Sequence, residues 1–536
     1  MAEIQAKNKK EKGMGMSQHI PLLSVLMLGL FLAILNQTLL NVALPHLITE
    51  FNTTTTTAQW LLTGYMLVNG VLIPLSAFLI RRFGVRILFL AAMLFFTIGS
   101  LICGLSPTFS IMLIGRLIQA VGGGILMPLV MTIILSVFPP EIRGRGMGIL
   151  GLAMMFAPAV GPTLSGWVVE NYSWRLLFNG MVPLGILVFV LAFFLLRNRV
   201  KPERVSLDVW GTITSIVGFG GLLYGFSEAG SKGWGSAEVV MSLIVGLVGI
   251  VAFVLQQLGK DDPMLDFRIF RYDIFTLSNI ISVIITIAMY AGMFLLPIYL
   301  QNLRGFTPLE SGLLLLPGAI VMGAMSPVSG ALFDKIGPRP LAILGMLITT
   351  VTTYEFTHLS IETSFTQVLI IYMFRSFGMS FLMMPIMTAG LNQLPERKNS
   401  DGTAMSNTLR QISGSIGISL VTTIFSNRTT MHLGELSDQT NIMSPSFISS
   451  FGSLVDSVAN AYGVPAAQAK QMAATMLYGQ VNMNAAVLGI NDAFYWAAGI
   501  SFVGLVLSFF LRDVRKDHVR KAKKERAAGI ASETSI

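Results

Sequence analysis

The chain has 536 residues, 53% of them hydrophobic and only 12% charged, with a formal net charge of +9. A soluble domain carries about 25% charged residues, so composition excludes one. A basic balance would suit nucleic acid, but the basic residues are spread along one side of a membrane topology, which excludes that partner as well.

Fourteen long apolar stretches follow one another. Each is predicted as a membrane-spanning helix, because about 20 apolar residues cross the hydrocarbon core and a helix satisfies its own backbone there. Span 1 covers residues 20–44 and carries the polar residues Asn36, Gln37 and Asn41. The basic run before it imitates a secretory signal. The block is too long for a signal's apolar core, however, and no small-residue cleavage site follows, so it reads as a retained helix. Spans 2 and 3, residues 60–80 and 87–105, flank a basic loop with Arg82, Gly84 and Arg86. The lone Cys103 lies in span 3, so no internal disulfide can form. Span 4, residues 109–138, holds Arg116, roughly 10 Å deep at helical rise. An arginine at the bilayer centre costs about 2.5 kcal/mol or more, so such residues usually face a cavity.

Span 5, residues 146–169, contains Gly151, Pro158, Gly161 and Pro162. That cluster is expected to bend the helix and allow close packing, as a hinge between moving parts would need. Span 6 covers 176–196. Spans 7 and 8, residues 209–228 and 239–258, lie between the charged connectors Asn198–Ser206 and Leu258–Asp273. They read as a linker, 201–273, inserted between two six-helix bundles, 20–200 and 274–511.

Span 9, residues 274–303, offers Tyr290 and Met293 to a cavity. Span 10, residues 311–333, opens at Thr307-Pro308-Leu309-Glu310, a capping-box pattern that makes Glu310 structural first. Its inner end carries Gly330, Asp334, Lys335, Gly337 and Arg339. Spans 11 and 12 cover 340–358 and 365–394, the second with Arg375. Asp401 reads as a start signal for span 13, residues 402–425, which holds Arg410. In the outer loop 426–492, Phe447, Phe451, Leu454, Val455 and Val458 recur at helical spacing. Two short outer helices are expected there, either as a tether or as a cap over the outer mouth. Span 14 covers 493–511. The tails are 1–19 and 512–536.

Lys and Arg crowd the inner segments; Arg175, Lys232, Arg304, Arg428 and Lys470 fall on outer ones. The positive-inside rule therefore places both termini in the cytoplasm. The chain also repeats itself: SAFLIRRFGVRILF at 76–89 parallels SGALFDKIGPRPLA at 329–342, setting Gly84 on Gly337 and Arg86 on Arg339. Such internal repeats mark secondary transporters with a site between the halves. No Gly-Lys-Ser or Gly-Lys-Thr occurs to cradle a nucleotide phosphate. The five histidines are scattered without metal-ligand spacing. An ATP-driven pump, a metal enzyme and a cofactor requirement are thus not supported, and the chain is not read as an enzyme.

The repeated loop resembles the cytoplasmic motif of the major facilitator superfamily. Its second copy matches at Gly330, Asp334, Lys335, Gly337 and Arg339; the first departs, with Ala77 for the Gly and Arg81 for the acid. Fourteen spans, Asn41-Val42-Ala43-Leu44-Pro45, Arg116-Leu117-Ile118-Gln119 and the span 5 cluster are similar to the drug:proton antiporters of that superfamily, the lincomycin-resistance type above all. The resemblance implies an all-α fold of two six-helix bundles in the cell membrane. It implies a monomer that exports amphiphilic small molecules in exchange for protons, with Asn36, Gln37, Asn41, Tyr290 and Met293 at the cavity. Arg116, Arg410 and Glu310 would then be the coupling charges, and the two loop copies the inner gate. Family members often carry an Asp where this chain has Asn36, which leaves no obvious deep carboxylate. A lipid or glycolipid exporter on the same fold is the alternative.

Overall fold

Apolar sequence at membrane depth has one economical solution, and the chain takes it throughout. The computed structural model describes residues 20–138, 140, 142–196, 208–439 and 445–513. The expected tail 1–19, all but the first two residues of the expected tail 512–536, and the connector 198–206 lie outside the described residues. The N-terminal bundle comprises α1 (Ile20–Glu50), α2 (Thr55–Leu105), α3 (Phe109–Val137), α4 (Arg143–Asn171), α5 (Arg175–Asn179) and α6 (Met181–Leu195). Two linker helices follow, α7 (Val209–Lys232) and α8 (Ala237–Leu258). The C-terminal bundle comprises α9 (Asp273–Ile298), α10 (Pro308–Ile336), α11 (Pro338–Glu355), α12 (Phe365–Ser380), α13 (Met383–Leu391), α14 (Asn399–Gln439), α15 (Pro445–Tyr462) and α16 (Ala466–Ser508).

Among the described residues, 11 helices are long and apolar enough to cross a membrane. One, Thr57–Leu105, runs for 49 residues, roughly 73 Å at helical rise, and so serves spans 2 and 3 together. The break between them is Gly84, whose φ of 75° and ψ of 164° leave the helical region. Gly337, its partner in the repeat, has φ 87° and ψ 179° and ends α10. Both positions need left-handed φ, which glycine alone adopts at little cost. Spans 11 and 13 are α11 and α14, too polar to be counted by apolarity.

The outer region differs from the expectation of a loop with two short helices. α14 continues past its span to Gln439, and α16 begins at Ala466, well before span 14. Among the described residues there, only α15 is a separate short helix; Val458 packs with Ala469 and Ala473 of α16, supported by Phe451, Leu454 and Val455. Apolarity reports lipid depth rather than helix length, so it marked only the first part of α14 and the last part of α16.

The linker pair packs through glycine. A Cβ on Gly249 would lie 2.7 Å from the Gly218 backbone, and one on Gly221 2.8 Å from Gly246. α7 touches both halves, through Leu223 against Gly70 of α2 and Gly230 beside Thr422 of α14.

Candidate transport site and cytoplasmic gate

The two halves meet most closely where α4 faces α10. α4 runs as one continuous helix across Gly151, Pro158, Gly161 and Pro162. The glycines let backbones approach: a Cβ on Gly148 would lie 2.7 Å from the Ser326 carbonyl, and one on Gly151 would collide with Ser326 Oγ. Gly161 faces Thr38 of α1 in the same way. Pro158 lacks the N–H that would close its helical bond. The side chains of Asn41 and Pro162 lie outside the described set.

At the inner end of this contact, Asp334 of α10 accepts the backbone N–H of Gly144 at 3.0 Å and of Arg145 at 3.1 Å. The first turn of a helix leaves its N–H groups unpaired and carries partial positive charge, so an acid placed there fills both needs. Arg145 Nε adds an ion pair at 3.9 Å. Ser326 Oγ donates to the Gly148 carbonyl at 3.0 Å, and Arg143 Nη1 donates to Asn392 Oδ1 at 3.2 Å. Gly330 sits directly against the Gly144 carbonyl. Of the remaining loop residues, Arg86 donates to the Phe193 carbonyl at 2.8 Å and Arg82 lies over the Phe83 ring. Lys335 and Arg339 are exposed.

The other copy of the loop is wired differently. Arg81, standing where Asp334 stands in the repeat, turns to the linker. It donates to Asp262 Oδ1 at 3.2 Å, the Pro263 carbonyl at 2.6 Å and the Met264 carbonyl at 3.0 Å. Asp266 of the same connector pairs with Lys398 at 2.9 Å, just before α14. The inserted segment thus supplies acceptors that the missing acid does not. Behind it lies Asp401, 3% exposed, with Oδ1 free of any hydrogen-bond partner. Burial pushes its carboxyl up to about 6, against the lowering pull of Arg81 and of the Asp266 backbone N–H. In the sequence, Asp401 reads as a helix start signal. Its third position in α14 agrees with that, but local sequence does not show which connector will cover it.

Deep in the N-terminal half, Arg116 is fully buried. Its Nη1 donates to Asn36 Oδ1 at 2.6 Å and Gln119 Oε1 at 2.8 Å, and its guanidinium lies 4.4 Å from the Tyr65 ring centre. Gln119 Nε2 donates onward to Ser100 Oγ at 2.7 Å. Asn36, expected at the cavity, is here 1% exposed, outside the wall bordered by Arg410, and holds Arg116. The turn of α1 that carries it faces its own bundle, and that rotation is set by packing rather than by polarity. Arg375 is the counterpart in the second half. Its Nε donates to Thr353 Oγ1 at 3.3 Å and its Nη2 to the Ala288 carbonyl at 2.5 Å.

Arg410 is placed differently. It borders a cavity of about 20 Å³ whose wall is Ser282, Ile285 and Thr286 of α9, Met383 and Met387 of α13, and Ser406 of α14. Its Nη2 contacts Met127 Sδ of the other half at 2.7 Å and donates to Asn407 Oδ1 at 3.2 Å. Its Nη1 is buried without a partner. Thr132 and Thr403 hydroxyls meet at 2.9 Å across the same seam. Tyr290 packs on Gly414, and Met293 is 45% exposed; neither is in the cavity wall. Gln37 is half-buried. Glu310 is exposed at the outer end of α10, accepting the Thr307 N–H at 2.8 Å while Thr307 Oγ1 accepts its own at 3.2 Å. That completes a capping box and places the carboxylate away from the cavity.

The family profile of the Major Facilitator Superfamily matches residues 26–418. An uncharacterized MFS-type transporter, YhcA of Bacillus subtilis (strain 168), is 64% identical over 504 residues, 94% of this chain and 95% of that protein. The lincomycin resistance protein LmrB of the same organism is 38% identical over 501 residues, 93% of this chain and 97% of that protein. Among solved structures, the human organic anion transporter MFSD10 (TETRAN) superposes with a TM-score of 0.62 at 12% identity, covering 91% of this chain and 99% of that one.

Proposed function

The chain belongs to the Major Facilitator Superfamily, a family of transport proteins rather than enzymes, and from that premise we propose that it is a multidrug-type exporter. It moves amphiphilic small molecules outward in exchange for protons, as a monomer in the cell membrane with both termini cytoplasmic. The observation that carries this reading is the contact of Asp334 with the first turn of α4, which joins the inner ends of the two halves. With α4 and α10 held together there, a substrate between the halves has no way back to the cytoplasm. Release of the same contact would open the inner side. Glycine-lined packing of α4 on α10 supports rocking of one half on the other. The name of the LmrB relative supports an antibiotic-like amphiphile as cargo. Proteoliposomes with an imposed pH gradient test it. Gradient-dependent movement of a lincosamide or another amphiphilic probe is expected, and equal movement with and without the gradient would contradict proton exchange.

A further inference from the structure

The bilayer-depth helices of this chain hold three arginines, and no carboxylate forms an ion pair with Arg116, Arg375 or Arg410 among the described residues. Arg116 and Arg375 are walled in, 0% and 4% exposed, and their hydrogen bonds go to neutral oxygens of their own halves, with Arg116 Nη2 buried without a partner away from the cavity. Of the three, Arg410 alone borders the cavity walled by α9, α13 and α14, with Nη1 unclaimed by any protein acceptor. The rest of that wall supplies the hydroxyls of Ser282, Thr286 and Ser406 and the thioethers of Met383 and Met387, and no acid.

A cation kept at membrane depth without a counter-ion is costly, and such residues mark ligand paths. The donor set here has one sign. A guanidinium with hydroxyls beside it matches a carboxylate, sulfonate or phosphate oxygen, and charge-assisted bonds to such oxygens are about twice as strong as neutral ones. The volume, about 20 Å³, admits a water-sized group, which suits a head-group oxygen and not a whole amphiphile. The polarizable methionines can adapt to an apolar body beside it.

We propose that this cavity is the head-group site for amphiphilic organic anions, with Arg410 as the residue that binds the acidic group. The proposal rests on the exporter reading and names its substrate class. A cation would meet Arg410 as a like charge, and no carboxylate in the wall would compensate. Export of an anion also runs with an inside-negative membrane potential, so such a cargo needs no acid in its own site.

Three probes with one apolar body separate the outcomes: 1-pyrenebutyrate, 1-pyrenebutanol and a pyrenebutyl-trimethylammonium salt. Binding to the full chain in nanodiscs and flux in proteoliposomes are measured for each. The wild-type protein is expected to bind the carboxylate most tightly. Arg410→Gln should weaken that binding roughly ten- to hundredfold, the loss of one charged hydrogen bond, and leave the alcohol within about twofold. That unchanged alcohol binding also shows the variant is folded. Arg410→Lys should retain part of the preference, and a Ser282→Ala, Ser406→Ala double variant should reduce it with the charge intact. If flux occurs but the three probes bind alike, or if the carboxylate preference survives Arg410→Gln, the head-group site is overturned and the exporter reading stands. If no probe moves under any gradient, the exporter reading itself fails.

Discussion

Asp334 accepts the Gly144 N–H at 3.0 Å, although the two residues belong to different halves of the molecule and lie 190 positions apart in sequence. The acid acts as an N-terminal cap for a helix that is not its own. The contact therefore exists only while the inner ends of α4 and α10 are together.

Loss of that cap should favour the inward-open arrangement. Removing a capping side chain costs about 1–2 kcal/mol, a shift of roughly five- to thirtyfold in population. In a background lacking Cys103, Ser326→Cys should react slowly with a membrane-impermeant maleimide from the cytoplasmic side. Asp334→Ala should speed that labelling by about this factor, and Asp334→Asn, which still accepts a hydrogen bond, by less. Equal rates in all three would remove Asp334 from the gate.

Arg116 and Asn36 form a unit. Arg116→Leu strands the Asn36 and Gln119 oxygens in an apolar bundle, at about 1–3 kcal/mol for each unsatisfied group. Thermal unfolding in detergent should show a lower Tm for Arg116→Leu and for Asn36→Leu. The double variant should lose less than the sum, because contacting residues do not add. Strict additivity would show that the 2.6 Å bond carries no stability.

Asn36→Asp gives Arg116 a counter-ion in place of an amide. Because Asn36 is enclosed and not in the cavity wall, the new carboxylate should leave the pH profile of transport unchanged. A profile that steepened between pH 6 and pH 8 would mean that α1 presents this residue to the substrate path.

Asp401 should make the fold pH-sensitive. Its carboxyl titrates at about 6 when folded, against an ordinary value of 3.8. Between those values the folded state binds more protons than the unfolded, so stability falls as pH rises through the window, and the full penalty is present above it. Asp401→Asn should therefore raise Tm relative to wild type at pH 7.5, by the equivalent of about 1–3 kcal/mol. The gain should shrink as pH falls toward 4. A gain that is constant with pH would show that the carboxyl is not the cause.

Much of this architecture was legible in the chain. Apolar blocks marked the spans because lipid permits few alternatives, and the repeated loop set Gly84 against Gly337, which do share a left-handed φ. Thr307 and Glu310 announced a helix start because a capping box is local. What escaped depends on contacts between distant elements. Asn36 was polar and deep, yet only the packing of α1 on α3 decides that it meets Arg116 instead of the cavity. Arg81 looked like a defect in a motif, and its acceptors lie 181 to 183 residues away in the linker. Span 12 is divided between α12 and α13, and nothing in its hydropathy announces that break at 381–382.

The central claim is that the two halves alternate about an inner contact that opens and closes. Phe83 and Ile336 occupy matched positions of the repeat, on opposite halves, and are 41% and 48% exposed, so spin labels there should not disturb packing. The distance between labels at these two positions, measured by pulsed electron resonance in nanodiscs, is the most direct test. One short-distance population is expected for the parent protein, with a second, longer one growing in Asp334→Ala and under substrate. A single unchanged distance in all of these conditions, with transport intact, would contradict alternation at this gate.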